Sequence, residues 1–154
     1  MRLTIDQRSA SLAGFVERAC GMDDGDLVRK SLLQFGTVLI CGFVERSVEV
    51  VILERLKKRA HPKIISFVKS HFKRGTNYDC EAVAQLLVRF DPAWEERFRQ
   101  LVVGKVGVED QIKSCYLIRN AVAHGSVHTV SEQSIRDYLD SANQLVDCLI
   151  RATE

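Results

Sequence analysis

Proline and glycine are scarce, with two and nine among 154 residues. So few turn formers exclude an all-β sandwich or barrel, which needs a turn roughly every ten residues. Long apolar runs are lacking as well. The most apolar stretch, Leu32 to Val44, is 13 residues long and contains Gln34 and Thr37, short of the ~20 needed to cross a bilayer. The opening stretch, Met1 to Asp6, has no apolar signal core; neither membrane insertion nor secretion is expected. Cysteine is present at 20, 41, 80, 115 and 148, an odd count without close pairs. That pattern fits neither a disulfide framework nor a zinc site and suits reduced thiols in a cytoplasm. Most lie inside apolar helical stretches, where a thiol acts as a small hydrophobe. Net charge is nearly absent too, since 22 Lys and Arg oppose 20 Asp and Glu. Bulk charge therefore selects no partner.

What remains is the composition of one ordinary globular domain, expected to span residues 1–154, with 46% apolar and 27% charged residues. The punctuation divides it into helices. Apolar residues at 12, 15, 16 and 19 predict an amphipathic helix from Ile5 to Ala19, stopped by Gly21 to Gly25. Asp26 reads as the N-cap of a long helix reaching about Ala60, and its middle is apolar nearly all round, as a central bundle helix should be. Gly36 and Gly42 weaken that helix unless a neighbour approaches closely. His61-Pro62 marks a break before a third helix, Lys63 to Arg74, and a fourth runs from about Asp79 to Phe90. Asp91-Pro92 opens the helix of Trp94, Phe98 and Leu101; Val108 to about Ala123 is the next, stopped by Gly125. Ser131 caps the last, whose stripe is Ile135, Tyr138, Leu139, Ala142, Leu145, Val146 and Leu149. Only Val127 to Val130 competes as a strand. The fold class is all-α.

Near-neutrality hides a segregated block. Arg55 to Arg74 carries eight Lys or Arg residues and no Asp or Glu, leaving 14 basic against 20 acidic residues elsewhere. With His61, Phe67, His71 and Phe72 among them, Lys57, Lys58, Arg59, Lys73 and Arg74 form a candidate surface for a phosphate backbone. The alternative is a solvated helix corner whose lysine stems cover apolar surface. Both readings stay open on sequence alone.

The chemistry-bearing constellation lies before Gly125. At about 100° per residue, Val108, Ile112, Cys115, Ile118 and Val122 define an apolar face with Arg119 in its middle. A guanidinium cannot shed its charge, so it must meet a carboxylate, an anion or a solvated groove. Asn120 and His124, four apart, neighbour one another on an adjoining strip. On an ideal helix Arg119 and His124 stand roughly 140° apart. They converge only if the helix ends near Ala123 or if a second copy of the chain supplies its own pair.

Arg119-Asn120-Ala-Val-Ala-His124 resembles the Arg-polar-x-x-x-His motif of HEPN domains, and it stands at the end of the penultimate long helix, before a closing amphipathic one. Leu39 to Glu49, with Glu45 in an apolar context, is similar to the long helix of the RiboL-PSP-HEPN branch. The resemblance implies an up-and-down bundle of six or seven helices with a long central helix. It also implies a metal-independent endoribonuclease without cofactor, acting as a homodimer with a composite active site. A toxin or antiviral effector of this kind would have a cognate antitoxin or defence-system partner protein. RNA cleaves itself when a 2′-hydroxyl attacks the adjacent phosphate, so such an enzyme needs proton transfer and stabilisation of a crowded anion. His124 can move the proton. Arg119 offers forked donors to the non-bridging oxygens, and Asn120 orients His124 or a phosphate oxygen. Glu45 or Glu49 is the carboxylate expected to pair with Arg119 before RNA binds.

The alternative is a non-catalytic helical module for dimerisation or protein interaction. Arg119 would then bond a buried glutamate, and the His124 side chain would cap the helix carbonyls. His124 and His128 make a poor zinc pair, because Gly125 separates them and no Cys, Asp or Glu lies close by in sequence. Ser114 and Ser126 lack a nucleophile elbow, and Gly104 to Gly107 is not a phosphate loop.

Overall fold

A computed structural model of the chain describes residues 1–57, 59–72, 76–126 and 128–154. Among these residues there are seven helices and no strands: α1 Arg2–Cys20, α2 Leu27–Leu56, α3 Pro62–His71, α4 Cys80–Leu87, α5 Pro92–Val103, α6 Val108–Ala123 and α7 Glu132–Ala152. Their starts follow local chemistry. The Asp26 side chain accepts from the Val28 amide, Asp79 from Ala82, Asp91 from Ala93 and Ser131 from Ser134, each satisfying an orphan N–H of a first turn. Pro62 and Pro92 occupy first helical turns, where no amide is missed.

Ends depart from the sequence expectation where charge rather than glycine is the signal. The long helix stops at Leu56, not near Ala60, and Lys57, Arg59 and Ala60 lie in turns before Pro62. The fourth helix gives way to a turn after Leu87, so Val88 to Phe90 are not helical. Of the strand considered at Val127 to Val130, residues 128 to 130 are irregular and Val127 lies outside the described residues.

The core is one contiguous cluster running from Ile5 to Ala152. Helix α2 lies at its centre, against α1, α6 and α7, and α7 also packs on α5. Gly36 is buried at the α2–α7 crossing, where an added Cβ would stand 3.1 Å from Ile135 Cδ1. That close approach is what this glycine is for. Gly42 is different: it is exposed, and an added Cβ would meet nothing within 4 Å. Cysteines 20, 41, 80, 115 and 148 are all buried free thiols.

Candidate active site

Helix α6 ends in a hydrogen-bonded stop that fixes where the imidazole stands. Gly125 adopts φ +77°, the left-handed conformation that suits glycine. The Ser126 amide then donates to the Ala121 carbonyl at 2.9 Å and the Gly125 amide to Val122 at 3.0 Å, which is a Schellman closure. The last helical residue is therefore Ala123, and His124 is the C-cap. Its backbone amide donates to Asn120 and Ala121 carbonyls, while its side chain is exposed. Among the described residues no hydrogen bond or ion pair engages that imidazole. The expected alternative, a histidine side chain capping terminal carbonyls, is not what the geometry shows.

One turn earlier, Arg119 is half-buried, its side chain retaining 31% exposure. Its Nη1 donates to Asn120 Oδ1 at 3.0 Å, and its Nη2 lies 3.8 Å from Glu45 Oε1 on α2. Asn120 Oδ1 is thus engaged by Arg119, and among the described residues no hydrogen bond links it to His124. The Glu45 contact is an ion pair by charge but is too long for a hydrogen bond, so the remaining guanidinium donors are not consumed by it. Glu49 is not the partner, because it is taken by Arg46 on the same helix.

Glu45 is the more constrained member of the pair. Its Oε1 is buried and has no hydrogen-bond partner among the described residues. Burial lifts its carboxyl above the usual range, and the Arg119 charge pulls it back. Below this pair the same two helices meet again. Cys41 and Cys115 place their sulfurs 3.7 Å apart, each four residues before Glu45 and Arg119 respectively, so thiol pair and ion pair share one α2–α6 seam. The hydrogen bond to Cys115, reinforced by burial, pushes the Cys41 thiol far up. The Cys41 thiol thus stays protonated and packs against Cys115.

Glu45 also borders a small cleft of about 160 Å³, walled by Gly42, Arg46, Glu49, Phe72, Thr76 and Tyr78. The segment 76–78 was not singled out by sequence reasoning, and no local signal marks it, since only the folding of α3 back over α2 brings it there. Of the basic residues expected to follow a phosphate backbone, Lys57 and Arg59 are exposed at the turn after α2, and Lys57 also pairs with Glu54. Lys58, Lys73 and Arg74 lie outside the described residues. Arg55 belongs to the same run but points inward, donating to Thr153 Oγ1 at 3.1 Å and to the Ile150 carbonyl at 3.2 Å. It is a tie between α2 and α7, not a phosphate ligand. Arg29, unremarked in the sequence, is buried between Asp24 and Glu132.

Among the described residues no three His, Cys, Asp or Glu side chains converge as a metal site, and no helix is long and apolar enough to cross a membrane. The model of one protein family, RiboL-PSP-HEPN, matches residues 5–154. No curated protein and no solved structure matches the chain. The match covers nearly the whole chain, and the chain belongs to the RiboL-PSP-HEPN family, HEPN domains being a group that includes ribonucleases.

Proposed function

From membership of this family and the geometry at the end of α6, we propose that the protein is a metal-independent endoribonuclease that cleaves RNA as a homodimer. The ribose 2′-oxygen attacks the adjacent phosphorus, the P–O5′ bond breaks, and the products end in a 2′,3′-cyclic phosphate and a 5′-hydroxyl. One proton leaves the attacking hydroxyl and one reaches the departing oxygen. Imidazole is the side chain suited to such transfers at cellular pH, which is the role of His124. Arg119 places its forked donors on the non-bridging oxygens as charge builds. Asn120 holds one guanidinium nitrogen through its Oδ1. Single-stranded or loop RNA is the substrate, because in-line attack needs a flexible backbone. The five buried free thiols suit a reducing compartment, and in our reading the protein acts in the cytoplasm as a toxin or defence effector restrained by a cognate partner protein.

The observation that carries this reading is that the His124 side chain is exposed and engaged by no hydrogen bond or ion pair among the described residues, one turn beyond a half-buried Arg119. Among the described residues Arg119 meets Asn120 Oδ1 and, at the longer distance of 3.8 Å, Glu45, which leaves guanidinium donors that make no short hydrogen bond. A module retaining the motif for stability would use these groups internally. Support for the dimer comes from α2. Val28, Leu32, Phe35, Leu39, Gly42 and Arg46 follow one another at spacings of four and three, the seam of a helix pair. Each is at least partly exposed, with Val28 at 56% and Phe35 at 48%. Gly42, where an added Cβ would meet nothing within 4 Å among the described residues, gives this seam a place where a second α2 can approach closely. Gly42 also borders the Glu45 cleft, so a partner docked there brings its own motif toward Arg119.

The test is incubation of the purified protein with RNA in excess EDTA. We expect cyclic-phosphate products, lost by about 100-fold or more in Arg119→Ala and His124→Ala, with unchanged melting temperatures. Cleavage that survives both substitutions overturns the proposal. A drop in thermal stability or dimerisation in His124→Ala, without any RNA phenotype, would establish the interaction module instead.

A further inference from the structure

Helix α3 has an apolar face that the protomer leaves open. None of its residues is buried, and Phe67 is 75% exposed. Lys63, Phe67 and His71 recur at intervals of four, so they form one stripe with a ring between two nitrogen-bearing side chains. Beside that stripe is a cleft between α3 and the end of α4. Phe67, His71, Phe72, Leu86, Arg89 and Phe90 line it, and no Asp or Glu does. Its volume is about 190 Å³, that of roughly six waters. This is the scale of one planar ring system and below the ~300 Å³ at which sites for larger ligands begin.

Three features specify the occupant. Phenylalanine and histidine rings offer stacking faces to any base, irrespective of its sequence. The charge is of one sign: no Asp or Glu occurs from residue 55 to 78, and Lys63 and Lys69 are exposed on the same helix. The cleft also neighbours the one that Glu45 borders, because Phe72 is a wall of both, and Glu45 is the residue that meets Arg119. His71, Phe72 and Tyr78 continue ring to ring between the two, with centroids 6.1 and 6.2 Å apart.

We propose that the α3–α4 cleft is a base-binding subsite. One unpaired base of single-stranded RNA enters it and stacks on Phe67, while Lys63 and Arg89 hold the flanking phosphates. The proposal rests on the reading of the chain as an RNA-cleaving protein but assigns a role to residues outside the motif. A subsite at this position fixes which nucleotide neighbours the scissile bond, and so sets cleavage preference.

The experiment uses full-length His124→Ala protein in EDTA and short single-stranded RNAs, each with one 2-aminopurine moved along the sequence. We expect quenching at one position, where the fluorescent base stacks, and its loss in Phe67→Ala/His124→Ala with about tenfold weaker binding by anisotropy. Phe67→Trp should restore both. Phe67 is mostly exposed, so its truncation should leave the melting temperature unchanged and a folding defect does not confuse the result. No quenching at any position, no RNA binding, or Phe67→Ala binding as tightly as its parent overturns the subsite. A change in sedimentation on Phe67→Ala with unaltered RNA affinity makes this face a protein interface and likewise overturns it. Parallel cleavage assays on protein with His124 intact separate the two proposals. Stacking without cleavage removes the nuclease and leaves the subsite, whereas cleavage indifferent to Phe67 does the reverse.

Discussion

Helices α7 and α3 carry equally plain apolar stripes, yet the bundle treats them oppositely. Every member of the α7 stripe, from Ile135 to Leu149, is buried, whereas α3 buries none of its residues. The difference lies in reach. Over 21 residues α7 runs against α1, α2, α5 and α6, while the ten-residue α3 leans on α2. Periodicity identifies which side of a helix is apolar; it does not say whether the covering surface belongs to the same chain. Where it does, the stripe is core. Where it does not, as on α3 and along the outer seam of α2, the stripe is available to something outside the protomer.

Truncation in the two helices tests the contrast most severely. Leu145 is 1% exposed, and Leu145→Ala should remove about 2–5 kcal/mol of stability through lost burial and a residual cavity. Phe67→Ala should change stability by no more than about 0.5 kcal/mol. Urea denaturation followed by circular dichroism measures both. Comparable losses would mean that the α3 face is covered in solution and would break the contrast.

A smaller pair of effects separates the two glycines of α2. Gly36→Ala drives a methyl against Ile135 in a packed crossing and should destabilise by about 1 kcal/mol, the overpacking cost outweighing better helix propensity. The methyl of Gly42→Ala meets nothing within 4 Å among the described residues. In dilute protein it should stabilise by about 0.5–1 kcal/mol, the ordinary gain from removing a mid-helix glycine. Sedimentation should at the same time show weaker self-association, because the methyl intrudes on the partner helix. Stabilisation with undiminished association would place the homodimer seam elsewhere.

The helices were legible because their signals are local. Asp26, Asp79, Asp91 and Ser131 cap the helices they precede, and Gly125 ends α6 one residue after His124. The end of α2 was misjudged by about four residues, because the run Lys57 to Ala60 contains no helix breaker before His61-Pro62. For the candidate site, the demand that Arg119 find a countercharge followed from its place on an apolar face, but the choice between Glu45 and Glu49 did not. That choice depends on Arg46, which claims Glu49 from three residues away on the same helix. Arg55 illustrates the limit from the other side. In sequence it is one of eight like charges, and only the arrival of the α7 C-terminus turns it inward. The two clefts joined at Phe72 have no sequence signature, since each draws its walls from separate elements.

The smallest expected effect concerns the buried carboxyl beside Arg119. Burial raises the Glu45 value and outweighs the opposing pull of Arg119, so the fold favours the neutral acid. The stability that Glu45 lends is therefore complete below the ordinary carboxylate value of about 4.3 and is lost as pH rises through its elevated folded value. Glu45→Gln is neutral throughout. It should melt with the wild type at acid pH and at a slightly higher temperature at neutral pH, the two curves separating across the Glu45 titration. Cleavage should survive, because Glu45 is not assigned to proton transfer and leaves the Arg119 donors free. If Glu45→Gln instead lowers the neutral-pH melting temperature, the attraction between Glu45 and Arg119 exceeds the cost of burying the carboxylate. Arg119 would then be held as a structural cation, and the α2–α6 seam would belong with α7 among the parts of the molecule satisfied from within.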